Sequence, residues 1–203
     1  MGESGASIDA SSDAWMVVTA VALQLADWDS PLEALLALVI FTAYLRPSEG
    51  LRLEVADVVP PCPPMSRFVA LNLHPRERSQ TSKTFATNES ILPDHPGHVF
   101  VGELLLMVTG AVRVGRLFPF TLARFAAKFR AAQIQLGSAE PYTAYQMRHG
   151  GPSADRRDNI RSLAEVKQRG RWSADSSMPR YEAAARLQRE EAPLPQALQR
   201  RCL

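Results

Sequence analysis

Two apolar stretches near the start of the chain predict a pair of buried helices. Residues 14–28 are apolar on more than one face, which is typical of a mostly buried helix. A Ser30-Pro31 pair then interrupts the pattern and provides an N-cap and a first helical residue. The next stretch, 31–44, is almost wholly apolar after Glu33, so we expect its helix to lie in the centre of the core.

An alternating pattern follows and predicts a small antiparallel sheet. Residues 56–65 are proline-rich and typical of a loop, whereas 66–74 alternate in the manner of a half-buried strand. The core face of this strand would be formed by Val69, Leu71 and Leu73. A polar turn comes next, and residues 84–92 are predicted to return as the second strand of a hairpin.

Helical spacing returns in the second half of the chain. The pattern predicts helices over 99–109, 121–136, a segment that begins at 143, 162–169 and 176–188. Gly137 and Gly170 close two of them. The predicted fold class is therefore mainly α, within α+β, with helices beside a small antiparallel sheet.

Length and composition indicate one globular domain. The chain has 203 residues, of which 46% are hydrophobic and 22% charged, and this is ordinary for a protein with a proper core. Small polar residues predict a disordered tail over 1–13, the domain covers 14–189, and 190–203 form a C-terminal tail that either docks or frays. A net charge of +2 neither supports nor excludes nucleic-acid binding.

Several kinds of site find no support in the sequence. Cys62 and Cys202 lack metal-ligand spacing and predict free thiols in a reducing compartment. His95 and His98 lack a completing ligand pair and are interpreted as loop histidines, so we predict no metal and no cofactor. The longest apolar run is shorter than the roughly 18–20 residues that span a bilayer, and no signal peptide is evident. We therefore expect an intracellular protein without membrane contact.

The segment LRPSEGLRL is the first motif with chemical content. Pro47 disfavours helical geometry at Arg46 and is suited to open the next helix, which holds Arg46 at a helix–helix junction. An arginine fork at such a place can bind two oxygens of a phosphodiester. The alternative is a structural ion pair between Arg46 and Glu49 on a surface turn, and this motif alone does not decide between the two.

Three further motifs follow in order, YQMRHGG, RGRWS and SMPRYE. Trp172 follows Arg148 by 24 residues, and Tyr181 follows Trp172 by nine. With the Arg46 segment, this ordered set resembles the catalytic domain of the tyrosine recombinases, the family of the phage integrases. In the residues of these motifs it is most similar to recombinase-like proteins of eukaryotic mobile elements. The resemblance implies an integrase-type catalytic domain that cleaves and rejoins DNA through a 3′-phosphotyrosyl intermediate.

The resemblance also implies a role for each matched residue. Tyr181 would attack the phosphate, while Arg46, Arg148 and Trp172 would stabilise the charge that develops on it. Lys83, on the predicted hairpin, would act as general acid toward the leaving 5′ oxygen. Tyr145 stands where the family has a histidine, and a tyrosine is a poor base at neutral pH.

A cluster of cationic side chains surrounds these motifs and suggests phosphate contacts. The candidate DNA-binding residues are His149, Arg156, Arg157, Lys167, Arg169 and Arg171. Acidic residues such as Asp155 dilute the cluster, and a merely solvated face is the alternative. The resemblance implies double-stranded DNA as partner, a homo-oligomer in the form of a synaptic tetramer, and a nuclear location if the source is eukaryotic.

Two other functions stay open. Tyr145 and the few residues ahead of Pro31, too few for the family's N-terminal clamp domain, favour a degenerate, non-catalytic DNA-binding remnant. An unrelated helical interaction protein would require the matched positions to coincide by chance.

Overall fold

The structure, a computed structural model, describes residues 14–73 and 89–173. Its α-helices are α1 Ala14–Asp27, α2 Pro31–Thr42, α3 Pro47–Gly50, α4 Phe100–Val112, α5 Leu122–Gln135, α6 Ala144–Arg157 and α7 Leu163–Gly170. Single 3-10 turns lie at Val55–Asp57 and Pro96–His98. A small antiparallel sheet completes the described part, so the mainly helical class with a small sheet is confirmed.

Helix α2 is the centre of the core, as its apolar sequence predicts. All its residues from Glu33 to Thr42 are buried, and α1, α4, α5 and α6 pack around it. The predicted N-cap at Ser30 and first helical residue at Pro31 are confirmed, and the Ser30 carbonyl accepts the first helical hydrogen bond, from Ala34. The Ser30 hydroxyl does not cap the helix but donates to the carbonyl of Trp28 and accepts from Lys128.

The sheet has three strands, β1 Val58–Val59, β2 Ala70–Leu73 and β3 Glu89–Ile91, with β2 in the middle. Leu71 pairs with Val58 on one side and with Ile91 on the other. The predicted core face of Val69, Leu71 and Leu73 is confirmed, since all three are buried. Strand β1 was not expected, because its two valines lie at the start of a stretch whose prolines are typical of a loop.

Helix α6 crosses α2 at very short range. A Cβ at Gly150 would lie 2.8 Å from the ring of Phe41, and one at Gly151 would lie 2.2 Å from the Phe41 carbonyl oxygen. Pro152 follows inside the helix, where it removes one backbone hydrogen-bond donor. The close crossing fixes the depth of α6, and with it the position of Arg148 one turn earlier. None of the helices in the described ranges is both long and apolar enough to traverse a bilayer.

Candidate functional site

Glu49 is the centre of the site. It lies in α3, and its carboxylate accepts from the backbone N–H of Arg46 at 2.7 Å and from Arg46 Nη1 at 2.5 Å. The ion pair considered from the sequence therefore exists. Glu49 is only 5% exposed, however, so the pair does not lie on a surface turn.

Two further arginines converge on the same carboxylate. Arg171 Nη2 lies 2.6 Å from Glu49 Oε2, and Arg148 Nη1 lies 3.5 Å from it. Burial alone would raise the pKa of Glu49, but Arg171, the Arg46 N–H and Arg148 together hold it below its usual value. Glu89 of β3 lies 3.3 Å from Arg171 Nε, so two carboxylates face three guanidinium groups. One positive charge is therefore uncompensated among these five side chains.

Arg148 is the most deeply placed of the three arginines. Its side chain is completely buried, whereas those of Arg46 and Arg171 are 20% and 8% exposed. Arg148 Nη2 donates to the Gly170 carbonyl at 2.5 Å, while its Nε and Nη1 have no hydrogen-bond acceptor among residues 14–73 and 89–173. Burial and the nearby Arg46 lower the pKa of Arg148 to about 10, so it is cationic at neutral pH. A buried cation with two such donors is suited to bind an oxyanion.

Trp172 covers Arg148. Arg171 adopts a left-handed conformation at the end of α7, with φ 55 and ψ 41, and this turns the chain back over Gly170. A Cβ at Gly170 would fall 1.7 Å from the Trp172 ring, so the turn requires glycine there. The indole lies over the Arg148 guanidinium, 5.2 Å from ring centroid to Cζ.

Tyr145 and His149 continue this aromatic surface along α6. The His149 ring stacks on Trp172 with centroids 6.0 Å apart and planes 14° apart, and the Tyr145 ring meets His149 edge-on at 5.3 Å. Tyr145 is half exposed and lies one helical turn from His149. The structure therefore brings six predicted site residues together, namely Arg46, Tyr145, Arg148, His149, Arg171 and Trp172. Lys83 and Tyr181 lie outside the described residues, and their roles stay predictions.

The other predicted DNA-binding arginines are largely engaged inside the protein. Arg169 donates to the carbonyls of Thr42 at 2.8 Å and Leu92 at 2.6 Å and lies over the Tyr44 ring. Arg156 donates to the Arg161 carbonyl, and Arg157 pairs with Asp158. With Arg169 10% and Arg171 8% exposed, little of either side chain is open to an external phosphate. Lys167 is half-buried on α7, and phosphate binding by this set stays a prediction.

Asp155 has a structural role that the sequence analysis did not predict. It is buried and accepts hydrogen bonds from the Tyr44 hydroxyl and from Arg161, which also pairs with Asp94. Burial and Asp155 raise the pKa of Tyr44, so its hydroxyl keeps its proton. This network ties the end of α6 to α2. The sequence does contain one indication of this role. Asp155 follows Arg148 by two turns of the same helix, so both residues lie on its buried face.

The two histidines near α4 are not simple loop residues. His98 is buried in a 3-10 turn and stacks between Trp15, at 3.6 Å between centroids, and His95, at 3.9 Å. Burial and the nearby His95 lower the pKa of His98 to about 3, so it is neutral at physiological pH. Within residues 14–73 and 89–173, no group of three or more acidic, histidine or cysteine side chains could hold a metal ion.

The site offers a buried guanidinium and a second, more accessible one, both paired with one carboxylate, and an indole that lies over the buried one. Such an arrangement suits a tetrahedral or trigonal oxyanion, since arginine forks match its geometry. No protein-family model matches the chain, and no curated protein is significantly similar to it. What the site can bind is therefore inferred from its own geometry.

Proposed function

We propose that the chain is a tyrosine-recombinase-type catalytic domain of integrase-type fold that cleaves and rejoins DNA strands. The observation that supports this most directly is the Arg46–Glu49–Arg148 arrangement. One carboxylate pairs with two guanidinium groups at 2.5 and 3.5 Å. In the part of the chain that the structure describes, Nε and Nη1 of the deeper one, Arg148, make no hydrogen bond, and Nη1 has only the ion pair with Glu49. These arginines come from sequence motifs about a hundred residues apart, so their convergence is not a consequence of local spacing.

In the proposed reaction, the Tyr181 hydroxyl gives its proton to water while its oxygen attacks phosphorus, and the bond from phosphorus to the 5′ oxygen breaks. Lys83 supplies a proton to the leaving 5′ oxygen, and the strand remains attached as a 3′-phosphotyrosyl ester. Arg46 and Arg148 stabilise the extra negative charge of the pentavalent transition state. A 5′ hydroxyl reverses the step, and because the ester retains the phosphodiester energy, rejoining needs no ATP.

Arg148 reaches a phosphate only after its cover moves. Trp172 lies over it, and the indole is held by stacking on His149 and by the turn that begins at Arg171. DNA engagement is therefore expected to displace the indole toward the phosphate, where its N–H can donate a hydrogen bond. The Arg46 side chain, which is 20% exposed, would make the first contact.

A groove beside the site provides a path for the DNA backbone. A cavity of about 540 Å³ is lined by Ser48, Arg52, Arg116, Phe120 and Thr121, among others. Ser48 follows Arg46 by two residues and is the groove residue nearest to the site in sequence. Arg52 and Arg116 are exposed, and Thr121 caps the N-terminus of α5, whose dipole also favours an anion.

Removal of either groove arginine is expected to weaken DNA binding without regard to sequence. Arg52→Ala and Arg116→Ala should each lower the slope of log affinity against log salt by about 1. Arg130→Ala is the matched control, because Arg130 is exposed on α5 but does not line the groove. Fluorescence anisotropy with a labelled duplex over a salt series measures the slopes. Equal slopes for the wild type and the three variants would show that the DNA backbone does not follow the groove.

The deciding experiment is capture of the covalent intermediate. A pool of randomised duplexes carrying nicks prevents religation, and a protein–DNA band on a denaturing gel then reports cleavage. The wild type and Tyr142→Phe are expected to form the band and Tyr181→Phe to lose it, because Tyr181 is the proposed nucleophile. Tyr142 is a suitable control, since its side chain is exposed in the loop before α6. A band that persists in Tyr181→Phe would contradict the assignment.

A second function is favoured by one observation. Tyr145 replaces the family's histidine, which suits a DNA-binding remnant that has lost cleavage. That protein would bind duplex DNA in a salt-sensitive manner and form no covalent band with any nicked pool.

A further inference from the structure

Helix α4 presents an apolar face to solvent. Its sequence, FVGELLLMVTGAV, contains one charged residue, and only Val101, Gly102 and Leu105 are buried. The opposite face, which we call the α4 stripe, consists of Phe100, Met107, Gly110, Ala111 and the following Val114. Met107 is 70% exposed and Val114 84%. Glu103 lies on the same face between Phe100 and Met107 and interrupts the apolar surface there. An exposed apolar surface of this kind is typical of an interaction site.

The charges that flank the stripe are self-complementary. Glu103 and Arg113 are both exposed, ten residues apart, and neither makes an ion pair within the described part of the chain. If two copies of α4 pair antiparallel about a two-fold axis near Val108, Glu103 of each copy lies opposite Arg113 of the other. The same arrangement aligns the two helix dipoles favourably.

The small residues of the stripe permit close packing in that arrangement. A Cβ at Gly110 would meet nothing within 4 Å, so the surface there is open. In the antiparallel pair, Met107 of one copy faces residues 109–111 of the other. An unbranched, flexible side chain is well suited to fill the space above a glycine and an alanine.

We propose that the α4 stripe is a homodimer interface formed by an isologous, antiparallel α4–α4 pair. This goes beyond the proposed function and does not depend on it. The helix has 13 residues and is about 20 Å long, so the interface is smaller than a standard one of about 800 Å² per partner. We therefore expect a weak dimer, with a dissociation constant on the order of 100 µM.

Analytical ultracentrifugation of the full chain from about 5 to 500 µM tests the proposal. The wild type should show reversible dimerisation, and Met107→Glu should abolish it. Ile134→Glu is the matched control, because Ile134 is an exposed apolar residue on α5 and its replacement should leave dimerisation unchanged. Circular dichroism establishes that each variant is folded.

Charge reversal tests the antiparallel geometry itself. Glu103→Arg and Arg113→Glu should each weaken the dimer about tenfold or more, and the double variant should restore it. A chain that stays monomeric throughout, a dimer that survives Met107→Glu, or a double variant that fails to recover would each overturn the proposal. Binding of the monomer to phosphatidylglycerol vesicles, lost in Met107→Glu, would assign the stripe to a lipid surface instead and likewise overturn it.

Discussion

Glu49→Ala is expected to destabilise the fold by about 3–5 kcal/mol, because it leaves buried guanidinium groups without their carboxylate. Arg46, Arg148 and Arg171 all direct a nitrogen to Glu49, and Arg148 is completely buried. Without Glu49, the mutual repulsion of these cations and their desolvation are unopposed. Guanidinium chloride or urea unfolding, followed by circular dichroism, measures the loss.

The matched control is Glu103→Ala, since Glu103 is exposed and makes no ion pair in the described part of the chain. Its unfolding free energy should stay within about 0.5 kcal/mol of the wild type, measured at low protein concentration. The pH dependence gives a second readout. Because the pKa of Glu49 is lowered in the folded state, its contribution is present above about pH 4.5 and is lost as pH falls through the folded pKa. Glu49→Gln should flatten this acid limb, and a limb as steep as in the wild type would refute the role assigned to Glu49.

This central carboxylate also shows where sequence reasoning reaches its limit. The local pattern around Pro47 predicts correctly that Arg46 sits at a helix junction with Glu49 within reach. From the sequence, phosphate binding by Arg46 and an ion pair between Arg46 and Glu49 are alternatives. In the structure the two are compatible, because Glu49 pairs with both Arg46 and Arg148 and can orient them for a ligand. The third contact comes from Arg171, 122 residues further along the chain. Local spacing carries no information about that partner.

The partners of the basic cluster also could not be predicted from the sequence. From its composition it is predicted to face either DNA or solvent. Arg169 instead donates to the carbonyls of Thr42 and Leu92, which are 127 and 77 residues distant in sequence. An arginine can be buried when such acceptors are available, and only the packing of α7 against α2 and the segment after β3 provides them. Helices are easier to predict, because the apolar run of α2 contains the information that places it in the core.

Gly151→Ala is expected to cost at least about 3 kcal/mol, although alanine is the better helix former by about 1 kcal/mol. The added Cβ would lie 2.2 Å from the Phe41 carbonyl oxygen and 2.8 Å from the Tyr44 ring, so α6 must move away from α2. A backbone oxygen cannot rotate out of the way as a flexible side chain can. Thermal unfolding should show a melting temperature lower by about 10 °C.

Gly110→Ala provides the matched control, because Gly110 is also a helical glycine but a Cβ there meets nothing within 4 Å. At low protein concentration it should be neutral or stabilising, by up to about 1 kcal/mol. The two variants thus make the same chemical change with opposite expected signs. Because Arg148 precedes Gly151 by one helical turn, the shift of α6 should also weaken the proposed DNA binding at a temperature where Gly151→Ala is still folded. If Gly151→Ala were as stable as Gly110→Ala, the close α2–α6 crossing that places Arg148 beside Glu49 would be wrong.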